Sequence, residues 1–260
     1  MTRQFAKRTW RVWQTVVLPV LGLVAMAGHC LQAAADPYPI NERPMYGGLK
    51  KTPEMQRADQ KFISAIKAKG LSREEGAELT ADRGWQLMRK GDHKTAMKRF
   101  NQAWLLDPRN GSAYWGMAAV VTDREGNMER ADDLFKRAFS FLPEDADLHV
   151  DYGRFLGKLH GIEIKKGKVE KGRKALDGST ASFRRALELN PEARDAHAGL
   201  AFNLFMKKDL AGSYRHLRIT LERGEGDGFP VIPIIKCMMD MNITHIEDER
   251  GRNCVPANLK

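Results

Sequence analysis

Three prolines, Pro108, Pro143 and Pro191, are each preceded by the same pattern of small and aromatic residues. Phe stands eight residues before each proline, Ala stands five residues before it, and Ala or Ser stands twelve residues before it. Residues that recur at fixed offsets indicate a repeated supersecondary unit, and this constrains the fold more than any other feature of the sequence. The three sets are Ala96, Phe100 and Ala103, then Ala131, Phe135 and Ala138, and finally Ser179, Phe183 and Ala186.

Each unit has the sequence pattern of two helices joined by a short turn. Apolar residues recur with a period near 3.6 in both halves, without the alternation that is typical of a half-buried strand. The prolines are 35 and 48 residues apart, so the third unit holds about 14 residues more than a 34-residue repeat. We predict units at about 77–110, 112–145, 146–193 and 194–224, with a basic insertion near 160–176 in the third.

This pattern resembles the tetratricopeptide repeat, a helical hairpin of 34 residues. The resemblance implies an all-α fold, a right-handed superhelical solenoid of about four helical hairpins with flanking N- and C-terminal helices. In such a repeat, small residues let the helices approach closely, Phe fills the gap to the next hairpin, and Pro ends the second helix. The residues expected to pack in this way are Gly84, Ala96, Phe100, Ala103, Pro108, Ala131, Phe135, Ala138, Pro143, Phe183, Ala186 and Pro191.

The segments that flank the repeats have different compositions. Residues 36–53 contain four prolines and a glycine pair, which predicts an extended, irregular chain. Thr52 and Pro53 then form the start signal of an N-terminal helix over about 54–70. Residues 225–260 are expected to cap the last repeat, with a helix that begins near Pro233.

The first 35 residues have the pattern of an export signal. A basic start, "MTRQFAKR", precedes an apolar run of about twelve residues, and small residues at Ala33 and Ala35 suit a signal peptidase. We therefore expect cleavage after Ala35 and export to the bacterial periplasm. An uncleaved membrane anchor and a lipoprotein acylated at Cys30 are the alternatives.

Export would leave two cysteines, Cys237 and Cys254, in an oxidising compartment. A disulfide between them is the simplest prediction, because such compartments favour oxidised pairs. The two residues lack the CxxC spacing of a redox motif.

Basic charge is concentrated in one stretch. Lys and Arg outnumber Asp and Glu by 43 to 33, and residues 158–174 alone hold seven bases and two acids. A nucleic-acid-binding protein more often spreads its basic charge over a whole face, so we expect no nucleic-acid partner. A solvated loop is the simplest interpretation of the basic insertion, and a contact for an acidic partner or for phosphate-rich lipid headgroups is the alternative.

No catalytic or cofactor motif stands out. The histidines are dispersed, and no nucleophile elbow or phosphate loop is present, so we expect neither enzyme activity nor a cofactor. The segment "CMMDMNITH", residues 237–245, offers soft donors that suit Cu(I), and copper handling is therefore the alternative function. Methionines at helical spacing more often fill a core.

The resemblance also indicates where a partner would bind, because the first helix of each tetratricopeptide hairpin lines a concave groove. Arg89, Arg124 and Lys158 occupy one place in three successive first helices and form what we call the basic row. A second row, one turn earlier, consists of Trp85, Val120, Arg154 and Phe202. Basic and apolar rows side by side suit an acidic or amphipathic segment of a protein, here an envelope component of a pilus, secretion or outer-membrane assembly. The competing interpretation is that these bases only solvate the helix ends.

Overall fold

The computed structural model describes residues 37–222, and all regular structure in this range is helical. Two short 3-10 turns, Ile40–Glu42 and Pro44–Gly48, precede the helices. The helices are α1 (Pro53–Lys67), α2 (Arg73–Arg89), α3 (His93–Leu106), α4 (Gly111–Val120), α5 (Met128–Phe139), α6 (Ala146–Lys165), α7 (Val169–Leu189), α8 (Arg194–Met206) and α9 (Leu210–Glu222).

Most helices begin at a polar residue whose side chain accepts a hydrogen bond from the first turn. Thr52 caps α1, and Ser72 forms a reciprocal capping box with Glu75 at the start of α2. Such caps satisfy backbone N–H groups that have no partner within the helix, so they fix where each helix begins. The remaining side-chain caps are Asp92 of α3, Asn110 of α4, Asn127 of α5, Asp145 of α6 and Asp209 of α9.

The helices pair into four successive hairpins, α2–α3, α4–α5, α6–α7 and α8–α9. Phe100 of α3 lies between two glycines, Gly84 of its own hairpin and Gly116 of the next hairpin. A Cβ atom at these glycines would lie 2.5 Å and 2.1 Å from the Phe100 ring, so only glycine permits this approach. Phe183 of α7 is held between Gly153 and Gly199 in the same way, at 2.8 and 2.3 Å. The predicted all-α fold of successive helical hairpins is confirmed.

The small residues of the pattern are buried where helices meet. The alanines at the repeat positions are fully buried, and the three prolines each follow the end of a second helix. Phe135, which is 2 % exposed, packs against Tyr152 and Phe155 of the following hairpin with ring centroids 5.3 and 5.2 Å apart. The alanines concerned are Ala96, Ala103, Ala131, Ala138 and Ala186.

One additional residue of the second unit is absorbed in a π-helical turn. The 35-residue step from Pro108 to Pro143 exceeds the 34-residue repeat by one. Val121–Glu125, directly after α4, forms a π turn, in which the Gly126 N–H donates to the Val121 carbonyl at 3.0 Å. A π turn accommodates an additional residue without breaking the helix, so the packing of Phe100 and Phe135 is kept.

The additional residues of the third unit lengthen both of its helices. α6 and α7 have 20 and 21 residues, whereas α3 has 14, and they turn at Lys166–Lys168 with Gly167 in the left-handed region at φ 71°. The basic insertion is therefore a helical hairpin, and the expectation of a loop was wrong. Small residues on the facing sides explain this, because Gly172 lies against Ile164 and Ala175 is buried.

Several predictions fall outside the described residues. They are the signal peptide at 1–35, the capping segment at 225–260, the Cys237–Cys254 disulfide and the alternative metal site at 237–245. Within residues 37–222, no helix is both long enough and apolar enough to cross a bilayer.

The Phe100 contact gives a direct test of the repeat packing. We expect Phe100→Ala to lower the free energy of unfolding by about 3 to 5 kcal/mol, because the ring is fully buried and its loss leaves a cavity between two hairpins. Chemical denaturation followed by circular dichroism measures the change. The matched control is Phe141→Ala, since Phe141 is 37 % exposed and should cost far less. Equal losses in the two variants would contradict the packing described.

Candidate functional site

The structure places the three residues of the predicted basic row in different environments. Arg89 is exposed at the end of α2. Lys158 on α6 donates to the Thr122 carbonyl at 2.9 Å and lies 3.5 Å from the Asp123 carboxylate. Lys158 therefore places a positive charge at the C-terminal end of α4 and its π turn. A cation interacts favourably with the helix dipole at this position.

Arg124 is only 12 % exposed, and contacts within the chain occupy its side chain. It forms an ion pair with Glu125, it donates to the Glu42 carbonyl at 2.8 Å, and the Tyr38 ring lies 3.7 Å from its guanidinium carbon. The predicted row of three exposed bases therefore does not exist. The physical reason is the π turn Val121–Glu125, in which Arg124 lies. The additional residue turns Arg124 away from the place that Arg89 has in α2.

The second predicted row is also dispersed. Val120 is completely buried in the core between the first hairpins and cannot line a groove. Trp85 is half-buried and donates to Ser112 at 2.9 Å, whereas Arg154 forms ion pairs with Asp151 and Asp195. Phe202 on α8 is half-buried. The prediction that Val120 lines the groove was wrong, because the Val120 side chain packs in the hydrophobic core just before the π turn.

Polar side chains join each first helix to the next. Trp85 of α2 donates to Ser112 of α4, Trp115 of α4 donates to Asp151 of α6 at 2.9 Å, and Arg154 of α6 donates to Asp195 of α8 at 2.7 Å. These links connect the first helices with defined geometry. The sequence does not reveal them, because their partners lie 27, 36 and 41 residues apart and follow no common offset.

Two adjoining clefts, which we call the Asp151–Arg154 clefts, lie along α6. The first, of about 260 Å³, lies between the end of α4 and α6, and the second, of about 370 Å³, lies between α6 and the start of α8. Both include Asp151 and Arg154, so together they run over three successive hairpins. Their charged lining is Asp123, Asp147, Asp151, Asp195, Arg154, Lys158 and Arg194.

The charges of these clefts are mixed, whereas the sequence predicted a basic surface. Four carboxylates face three bases in the lining. Burial raises the pKa of Asp151 above its ordinary value, while Arg154 and the hydrogen bond from Trp115 act in the opposite direction. Fixed, partly desolvated charges of both signs select a partner by charge complementarity more than by net attraction.

The N-terminal segment, residues 38–51, packs onto α3 and the π turn. Asn101 of α3 is fully buried, donates to the carbonyls of Asn41 and Arg43 at 3.0 and 2.8 Å, and accepts from the Tyr46 N–H at 3.4 Å. Glu42, 5 % exposed, lies 3.2 Å from Lys98. The sequence predicted an extended, irregular segment. The structure instead contains two 3-10 turns, and Met45–Gly48 have left-handed backbone angles.

This docking was missed by sequence reasoning because its acceptors are backbone carbonyls some 60 residues away from Asn101. Only one signal was present, an asparagine on the buried side of α3. A buried amide must find partners, since an unpaired one costs about 1 to 3 kcal/mol. Arg124 also holds this segment, through its hydrogen bond to the Glu42 carbonyl. A charge reversal at Arg124 would therefore disturb the docking of the N-terminal segment, so it cannot serve as a test of partner binding.

The described residues contain no group of three or more His, Cys, Asp or Glu that could hold a metal ion.

His197 and His216 lie close together, with their Nδ1 atoms 2.8 Å apart, and join α8 to α9. Burial, followed by the neighbouring His197, lowers the pKa of His216 below its ordinary value. At this distance the two rings share a hydrogen bond, in which one Nδ1 donates and the other accepts.

Comparison with known proteins gives structural similarities alone. No protein-family model matches the chain, and no curated protein matches it. Among solved structures, PilF of Pseudomonas aeruginosa is similar with 16 % identity over 70 % of this chain and 90 % of that chain, at a TM-score of 0.38. PilW, described as a widely conserved type IV pilus biogenesis factor, has 16 % identity over 69 % and 90 %, at a TM-score of 0.39.

A third solved structure is YrrB, described as a TPR protein with an unusual peptide-binding site. It has 20 % identity over 64 % of this chain and 93 % of that chain, at a TM-score of 0.31. The repeat fold of the present chain is established by its own helix packing, above all by Phe100 and Phe183 against the glycines of the first helices.

The hydrogen bonds of Asn101 can be tested by removing them. We expect Asn101→Ala to release the N-terminal segment, because the variant loses the two hydrogen bonds that the Asn101 amide donates to the Asn41 and Arg43 carbonyls, together worth about 1 to 3 kcal/mol. Amide hydrogen exchange of residues 38–51 should become at least tenfold faster, while that of α7 and α8 stays unchanged. Gln86→Ala, an exposed change on α2, is the matched control. Unchanged exchange at Tyr46 in the Asn101 variant would contradict the docking.

Proposed function

We propose that this chain, which has the tetratricopeptide-repeat fold, is a non-enzymatic scaffold that binds a segment of another protein across the Asp151–Arg154 clefts. The observation that carries the proposal is that the two clefts share Asp151 and Arg154 and together border α4, α6 and α8. Repeat folds offer such extended surfaces because each hairpin adds one first helix to the same side.

The lining is preorganised. Asp151 is held by Trp115 and Arg154, and Arg154 is also held by Asp195. Side chains that are already fixed lose little conformational entropy on binding, so more of the contact energy contributes to affinity. Side chains held in place in this way favour binding of a partner. Bases that only solvate helix ends would not need to be held by neighbouring residues.

The chemistry of the partner follows from the mixed charges. Four carboxylates and three bases line the clefts, which suits a segment that carries both basic and acidic side chains. The sequence suggested an acidic or amphipathic segment, and the lining favours one that carries charges of both signs. Exposed Asp147, at the rim beside Val150, is placed to contact a basic group of the partner.

We also propose that the scaffold works in the bacterial periplasm, within an envelope assembly. Support comes from the first 35 residues, with their basic start, apolar run and small residues before Asp36. An exported repeat protein without catalytic motifs is best explained by a role in holding other proteins together.

The proposal is tested by photo-crosslinking in living cells. The full chain carries a photoreactive amino acid in place of Asp147, and a matched chain carries it in place of Lys61, an exposed residue of α1. We expect the Asp147 position to capture a defined protein, identified by mass spectrometry, with at least tenfold higher yield than the Lys61 position. Capture of the same protein with equal yield from both positions, or from neither, would refute binding at the clefts.

A further inference from the structure

The lengthened α6–α7 hairpin forms a larger cleft with the start of α5. This cleft, of about 710 Å³, has its own set of lining residues, apart from those of the Asp151–Arg154 clefts. The residues that contribute lie on α6 from Tyr152 onward, on the first turns of α7, and on the start of α5 with the turn before it. The additional residues of the third unit supply its lysine rim, so the cleft is a feature of this chain and not of the repeat.

The floor of the cleft is apolar. Leu156, Leu159 and Ile162 follow each other at intervals of three residues on α6, so they lie on one side of the helix. All three are half-buried, and Met128 of α5 adds to the same surface. Apolar side chains that remain partly exposed at the bottom of a cleft favour an apolar occupant, because burying them removes their surface from water.

The rim of the cleft is basic. Four exposed lysines, Lys166, Lys168, Lys171 and Lys174, contribute to the lining. Among the described residues, Lys166 lies 3.4 Å from Glu163 and Lys174 lies 3.8 Å from Glu170, whereas Lys168 and Lys171 have no carboxylate within ion-pair distance.

The carboxylates of this lining are largely engaged. Asp132 forms an ion pair with Lys136 at 2.6 Å and accepts a hydrogen bond from Tyr152, and Glu163 is buried beside Lys166. Glu129 is the exposed acid of the cleft. Positive charge therefore dominates the part of the rim that is open to a partner.

We propose that this cleft is a second binding surface, which holds an acidic amphipathic helix of a protein partner. The apolar side of such a helix would cover Leu156, Leu159 and Ile162, while its carboxylates would reach Lys168 and Lys171. A helix placed with its apolar side in a groove and its charges at the rim is a common mode of peptide recognition. Paired charges at the rim set the orientation and speed the encounter.

A membrane surface fits this cleft less well. Lipid headgroups form a broad plane, and such a plane cannot reach apolar side chains that lie at the bottom of a cleft between two helical walls.

The probe for this proposal is a labelled synthetic peptide of about four helical turns, with leucines on one side of the helix and glutamates on the other. Fluorescence anisotropy measures its affinity for the full chain. We expect Lys168→Glu with Lys171→Glu to weaken binding at least tenfold, and higher salt to weaken binding to the unaltered chain. Ile162→Gln should also weaken it, because it removes part of the floor. The matched control, Lys61→Glu with Lys67→Glu on α1, makes the same charge change and should leave the affinity unchanged.

Three results would overturn the proposal. One is equal binding of a scrambled peptide with the same composition, since that would show charge attraction alone. Another is equal weakening by the α1 control. The third is binding of phosphatidylglycerol vesicles that depends on Lys168 and Lys171 while the peptide does not bind. The outcome is separate from that of the Asp147 crosslinking, because the peptide assay uses other residues and needs no cellular partner.

Discussion

The contact between second-helix phenylalanines and first-helix glycines is the interaction on which the rest of the structure depends. Phe100 and Phe183 each fill a space that glycines of two successive hairpins leave open. This close approach fixes the distance between neighbouring hairpins. At that distance Trp85 reaches Ser112 and Arg154 reaches Asp195. Between the second and third hairpins, Phe135 packs against Tyr152 and Phe155, and there Trp115 reaches Asp151. The polar links, and the clefts that they border, are therefore consequences of the apolar packing.

Additional residues have been accommodated where they leave this packing intact. One additional residue lies in the π turn Val121–Glu125. The additional residues of the third unit make α6 and α7 longer than the other helices of the repeats. Both changes create surfaces that a regular repeat would lack. The π turn places Arg124 against the N-terminal segment, and the lengthened hairpin forms the basic cleft with its apolar floor.

Sequence reasoning succeeded for the packing positions because Ala, Phe and Pro stand at fixed offsets, which reflect a steric requirement. It failed for Val120 and Arg124, since one additional residue within a helix changes which side a residue faces. Counting from the prolines cannot reveal where that residue is absorbed. The links between first helices and the docking by Asn101 were also missed, because their partners are distant in sequence and some are backbone carbonyls.

Binding of a protein segment along α4, α6 and α8 is tested most directly by amide hydrogen exchange of the full chain, alone and in complex with the protein captured through Asp147. We expect slower exchange upon binding within residues 119–123, 147–158 and 193–195, the stretches that border the Asp151–Arg154 clefts. Protection confined to the second helices α3 and α5, with no change along α6, would contradict it.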